Sequence, residues 1–179
     1  MDNNLQINNI NFRKPFISDS AQATIYINTI STEDTFITFS GEQLTVDEER
    51  SYIMDCLSKI ERGDMVKLYA ELDGKIVAEG SVERDFRTKK RGLHRAMIGL
   101  TVAKEFRGQG IGRALMQKLI DETKINMPDI RIIYLTVFGQ NSKAISLYKS
   151  LGFVEFGRLP EGLLHKGHYD DYVFMFLNI

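Results

Sequence analysis

The sequence predicts an α/β domain: a mixed, mostly antiparallel sheet of about seven strands with about four helices. Two observations carry that prediction. Three strand-like stretches, Val66–Leu72, Lys75–Arg84 and His94–Val102, follow one another through short connections, as an antiparallel meander does. A helical stretch, Ile111–Asn126, then separates Val102 from a second apolar strand, Ile130–Phe138. Strand–helix–strand implies a parallel neighbour pair joined by a right-handed crossover.

Each element has its own signal. Leu5–Arg13 reads as a first strand closed by Pro15. Ser18-Asp19-Ser20 offers N-caps for a helix carrying Ala23, Ile27 and Ile30. Ser31–Leu44 is polar with isolated aromatics and reads as a loop. Thr45-Val46-Asp47-Glu48 has the capping-box pattern and starts a helix that Gly63 stops. Asp73-Gly74, between two alternating runs, is a strong hairpin signal. Ile111, Leu115 and Leu119, flanked by Met116 and Ile120, form one apolar helix face, and Pro128 ends that helix. The apolar, β-branched run Ile130–Phe138 has the character of a buried central strand. Asn141 caps a helix over about Ser142–Leu151 with Gly152 in the C′ position. Two last strands, Phe153–Leu159 and Tyr169–Leu177, complete the set. No composition shift or linker divides the chain, so residues 1–179 read as one domain.

Composition narrows the function. Apolar residues make up 43% of the chain and charged residues 26%, with a net charge of −1, which gives no reason to expect nucleic acid or an anionic membrane as partner. The one basic cluster, Arg84, Arg87, Lys89, Lys90, Arg91 and Arg95, reads either as a solvated hairpin tip or as a device that steers an anion. Cys56, the single cysteine, lies at helical spacing with Ile53, Leu57 and Ile60, as a small core residue would. His94, His165 and His168 show no metal-ligand spacing, so no metal is expected. No leader pattern or bilayer-length apolar run is visible, and the expected location is the cytoplasm.

The chemistry concentrates in Arg107-Gly108-Gln109-Gly110-Ile111-Gly112-Arg113, a glycine turn between a strand and a helix. Glycine permits positive φ and close backbone approach, and a helix start presents unpaired N–H groups with partial positive charge. Together they make a cradle for a pyrophosphate. The spacing fits neither G-x-G-x-x-G nor a P-loop, because Arg113 or Leu115 falls where the dinucleotide motif needs its last glycine.

The turn reads R-x-x-G-x-G, and Asn141 to Phe153 reads N-x-x-A-x-x-x-Y-x-x-x-G-F. On these two motifs, in this order, nearly the whole chain resembles the GCN5-related N-acetyltransferases (GNAT). The resemblance implies acetyl-CoA as co-substrate and a sheet whose fourth and fifth strands splay apart. It implies that Arg107, Gly108, Gln109, Gly110, Ile111, Gly112 and Arg113 hold the CoA pyrophosphate. Leu100, Thr101 and Val102 would pair with the pantetheine arm as an added strand does. Asn141 would contact that arm as well as cap its helix, and Tyr148 would serve the departing thiol. A phenol with pKa about 10 is less acidic than a thiol at about 8.5, so hydrogen bonding to the developing thiolate outweighs full protonation.

The acceptor amine must lose a proton. Many relatives carry a glutamate near the start of strand four, where this chain has Arg95-Ala96-Met97. His94, Glu83, Glu79 and Glu33 are the candidate replacements. The ending Gly167-His168-Tyr169-Asp170-Asp171-Tyr172-Val173-Phe174-Met175 resembles that of relatives acting on amino acids, small amines or ribosomal proteins. It implies that Tyr169 and Asp171 face the acceptor, unless they only hold the hairpin. The implied activity is N-acetylation of a small-molecule amine or amino acid. The alternatives are a protein N-terminus or lysine as acceptor, and an acyl-CoA-binding module without turnover. A homodimer is expected because such folds often pair.

Overall fold

The computed structural model describes residues 9–33, 35–37 and 39–179. Seven strands form one sheet in the order β1-β2-β3-β4-β5-β7-β6. They are β1 (Asn11–Arg13), β2 (Met65–Leu72), β3 (Lys75–Arg84), β4 (Arg95–Val102), β5 (Ile132–Phe138), β6 (Val154–His165) and β7 (His168–Asn178). Four helices are interleaved: α1 (Ser20–Thr32), α2 (Val46–Glu61), α3 (Ile111–Asn126) and α4 (Ser142–Ser150). Every strand pair is antiparallel except β4–β5, the expected parallel pair. Of the predicted first strand, residues 5–8 lie outside the described residues, and the strand seen is short.

Local signals act as their chemistry requires. Thr45 accepts from the Glu48 N–H at 3.2 Å while Glu48 accepts from the Thr45 N–H at 2.8 Å, closing the capping box. Gly63 ends α2 at φ +72°, and Asp73-Gly74 turns the β2–β3 hairpin with φ of +49° and +75°. Four expectations are corrected. Asp19 stands at the N-cap of α1, but its carboxylate takes bonds from Arg13 and from the Phe16 N–H at the start of the preceding 3-10 turn, and it does not cap α1. Helix α1 runs into the predicted loop as far as Thr32. The apolar run before Phe138 becomes strand only at Ile132, and its burial alternates because helices cover one face. The last two strands are longer than Phe153–Leu159 and Tyr169–Leu177: β6 and β7 continue to a Lys166-Gly167 turn, both residues at positive φ.

Alternation divides the sheet between two layers. Val66, Leu68, Ala70, Ala78, Val82, Ala96 and Ile98 meet Leu115, Met116, Leu119 and Ile120 of α3 on one face. Ile133, Leu135, Val137, Val173 and Met175 continue that core, with Ala144, Ile145 and Tyr148 of α4 packed against it. On the other face α1 and α2 bury Tyr69 and Ile76 with Ala23, Tyr26, Ile30 and Ile53. Beyond them Met97, Tyr134, Thr136 and Phe138 stay partly or fully exposed. Cys56 is fully buried, as expected of a core residue.

The basic cluster splits. Arg84 is paired with Asp64 at 3.0 Å and Asp129 at 2.6 Å. Arg87 and Arg95 converge on Asp85 at 3.0 and 3.2 Å, and the Tyr134 hydroxyl adds a bond at 3.1 Å. Arg87 first, with Tyr134 assisting, holds the Asp85 carboxyl down at about 2.

Two stability predictions follow from this packing. Leu119→Ala, at a position with no exposure, should cost about 2–5 kcal/mol in a urea melt because the sheet cannot collapse into the void. Asp85→Asn should cost about 1–3 kcal/mol at neutral pH by leaving its partners short of an acceptor. The folded carboxyl is more acidic than an unfolded one at about 3.9, so its contribution is present above that value. Wild type should therefore lose this advantage as pH falls through about 2.

Candidate active site

β4 and β5 are in register only at Arg95–Ile132, Ala96–Ile133 and Met97–Tyr134. Past Met97 the two strands part, while β4 stays paired to β3 as far as Val102. From Ile98 to Val102 the β5 side of β4 is therefore a free strand edge, and the glycine turn stands at its end. Leu100 and Val102 anchor that edge. A Cβ added to Gly112 would lie 3.4 Å from Leu100 Cδ1 and 3.5 Å from Val102 Cγ2, so glycine lets the helix start close against β4.

The turn is built from backbone. Gly108 lies at φ +75° with open space where a Cβ would stand. Gly110 is the N-cap of α3 in the left-handed region, φ +85°, and no side chain caps the helix. The first helical bond runs from the Ala114 N–H to the Gly110 carbonyl, so the N–H groups of Ile111, Gly112 and Arg113 point out of the helix end. The Gln109 amide donates to the Glu105 carbonyl at 2.7 Å, while its own carbonyl oxygen is buried with no partner among the described residues. These donors fit a pyrophosphate, and the free edge of β4 fits an extended amide-bearing arm.

The arginines of the motif point elsewhere. Arg107 donates to the Val102 carbonyl at 2.7 Å and pairs with Glu33 at the end of α1. Arg113 donates to Ser150 at 2.5 Å, tying α3 to the end of α4. Asn141 caps α4, accepting from the Ala144 N–H at 3.2 Å. Tyr148 lies on the same helix, partly buried, its ring 6.0 Å from Phe153. Burial pushes its hydroxyl up to about 12.

The candidate proton acceptors are scattered. His94 precedes β4, where its carbonyl accepts from Arg131 and Ile132. Val102 lies eight residue steps further along the strand, roughly 26 Å away. Glu83 lies opposite Met97 and is paired with Lys59 at 2.7 Å. Glu79 lies opposite Thr101, beside the free edge, and is paired at 2.7 Å with the buried Lys67. At the last hairpin Tyr169 is 67% exposed, whereas Asp171 accepts from Arg158 at 3.0 Å and from the Glu161 N–H at 3.3 Å. Arg158 lowers the Asp171 carboxyl from its usual range.

Other side chains enter the site without a motif to announce them. The Tyr26 hydroxyl bonds Thr101 at 2.9 Å, and the Tyr172 hydroxyl donates to Thr136 at 2.7 Å. The rings of Phe36, Phe138 and His165, from three different segments, stand 4.9–5.5 Å apart at the end of β5. Glu49 of α2 is buried, which first of all raises its carboxyl to about 6, with the Glu79 charge adding to the effect. Among the described residues no group of three or more His, Cys, Asp or Glu side chains is placed to hold a metal ion, and no helix is long and apolar enough to cross a membrane.

A backbone anion cradle at the end of a free strand edge is built to hold an extended ligand that carries an anionic group. Comparison with known proteins makes the class specific. The profile of the acetyltransferase (GNAT) family matches residues 27–153, and the chain belongs to that family. It is an acyltransferase with acetyl-CoA as donor. L-amino acid N-acetyltransferase AaaT of Escherichia coli is 32% identical over 115 residues, covering 64% of this chain and 69% of that protein. The structure of a GNAT acetyltransferase from Streptococcus pneumoniae superposes with a TM-score of 0.86 at 26% identity, over 95% of this chain and 99% of that one. A Salmonella typhimurium acetyltransferase solved with acetyl-CoA superposes at 0.81 with 22% identity, over 96% of this chain and 94% of that one.

Gly110→Ala should weaken acetyl-CoA binding about tenfold or more in titration calorimetry, because the left-handed backbone costs an L-residue roughly 1–2 kcal/mol and the helix-end donors shift with it.

Proposed function

We propose that the protein acetylates the primary amine of an amino acid or comparable small molecule, with Tyr148 as the group that receives the departing thiol. The observation that supports this most is the placement of the free β4 edge. It opens on the sheet face that α1 and α2 leave partly exposed, with Thr136, Phe138 and Tyr172 beside it. The similarity to the Escherichia coli amino-acid acetyltransferase supports the same acceptor class.

Each group has a physical task. The N–H groups of Ile111, Gly112 and Arg113 bind the pyrophosphate, and β4 from Leu100 to Val102 fixes the arm in line. That geometry brings the thioester carbonyl to the face where an amine approaches. Attack by the neutral amine forms the amide bond and breaks the carbon–sulfur bond, and the sulfur leaves with the electron pair. Tyr148, protonated throughout the neutral range, donates a hydrogen bond to that sulfur as charge develops. Glu33, Glu79 and Glu83 are each engaged by a cation, so the amine's proton leaves to water on the exposed face.

Thiol release from acetyl-CoA across amino acids, amines and peptides tests the acceptor. Release only with peptides would replace this reading by a protein acetyltransferase, and tight binding with no acceptor-dependent release would leave a binding module. Tyr148→Phe should lower kcat about a hundredfold while the acetyl-CoA dissociation constant stays within about twofold. Because burial keeps the Tyr148 hydroxyl protonated, kcat should show no alkaline fall assignable to it below about pH 11.

A further inference from the structure

Strand β6 ends the sheet, so one of its long sides has no strand partner among the described residues. It is twelve residues long, and an edge of that length is a ready template for another strand. Its apolar side chains face out as well: Val154 is 57% exposed, Phe156 59% and Leu159 53%. Register with β7 sets their direction. Val154 lies opposite Phe176 and Leu159 opposite Tyr172, on the part of the sheet face that α1 and α2 leave uncovered. Phe156 packs its ring against Phe174 and Phe176 on that face, at 6.1 and 5.7 Å. Glu155 and Arg158 lie opposite Met175 and Val173, on the other face, and pair with each other at 3.1 Å.

We propose that β6 pairs antiparallel with β6 of a second copy of this chain, about a two-fold axis between Phe156 and Gly157. The occupant follows from the order of the residues themselves. That axis sets Val154 against the partner's Leu159, Glu155 against the partner's Arg158, and Phe156 against the partner's Gly157. Each match then occurs twice, as a two-fold interface requires. Both members of each match lie on the same face of the joined sheet. Apolar meets apolar, carboxylate meets guanidinium, and the largest side chain meets the residue with none. Neighbouring registers fail. An axis through Phe156 sets Val154 against the partner's Arg158, and one through Gly157 sets Glu155 against the partner's Leu159.

The edge also limits its own growth. Pro160 has no N–H to offer, so pairing stops after Leu159. Phe156 has no partner on β7, and the bulge there bends the edge, confining contact to the six residues around the axis. A short, bent, charge-matched edge accepts one partner and does not build an open stack.

Sedimentation velocity over a concentration series tests the pairing on the full chain. Wild type should dimerise, and Arg158→Glu should weaken the dimer about tenfold or more by setting like charges opposite one another twice. Glu155→Arg combined with Arg158→Glu should restore it, because the exchanged charges again meet their opposites across the axis. Both variants place a glutamate beside Asp171, so that local repulsion cancels in the comparison. Phe156→Lys should give monomers, with unchanged circular dichroism and acetyl-CoA affinity showing that the fold persists. A monomeric wild type at tens of micromolar, or a dimer that survives Arg158→Glu and Phe156→Lys, would overturn the pairing. A folded double exchange that stays monomeric would overturn the register.

Discussion

The separation of β4 from β5 after Met97 is the constraint on which the rest of this structure depends. A parallel pair that stayed closed would satisfy its backbone internally and leave no room for a donor. Opening it exposes donors and acceptors from Ile98 to Val102, which need a partner. The opened segment of β4 is anchored by apolar packing: Leu100 and Val102 sit against the first turn of α3, and Gly112 lets that turn come close. Core packing, main-chain hydrogen-bonding capacity and the anion cradle are thus one arrangement.

Most of the scaffold could be read in the sequence because its signals are local. A capping box such as Thr45–Glu48, a two-residue turn such as Asp73-Gly74, and a cap such as Asn141 act over three or four residues. The glycine turn between β4 and α3 was legible for the same reason, since strand, turn and helix start are contiguous. What escaped depends on distant partners. The Asp85 cluster gathers Arg87, Arg95 and Tyr134 from different strands and loops, and it takes two of the six cations of an apparent basic patch into ion pairs. The length of β6 and β7 escaped too, because Pro160, Gly162 and Gly167 look like loop residues until two strands are seen to pair around them.

The acceptor side was the least legible part, and its construction explains why. Phe36 comes from the α1–α2 connection, Phe138 from the end of β5 and His165 from the end of β6, with no common spacing to betray them. The carboxylates that could be singled out by type were Glu33, Glu79, Glu83 and Asp171. Each is bound by a nearby cation, which gives it a place in the scaffold. Residue type pointed to charge chemistry; the three-dimensional arrangement offers an aromatic and hydroxyl-lined surface.

Arg107 shows how such a fold can hold a polyanion without leaning on salt-sensitive attraction. Its guanidinium is turned onto the Val102 carbonyl and the Glu33 carboxylate, away from the cradle it introduces. On the proposed reading, the grip on the donor would rest on fixed main-chain dipoles at close range, which dissolved ions screen far less than exposed charges. Such a grip would hold as ionic strength rises.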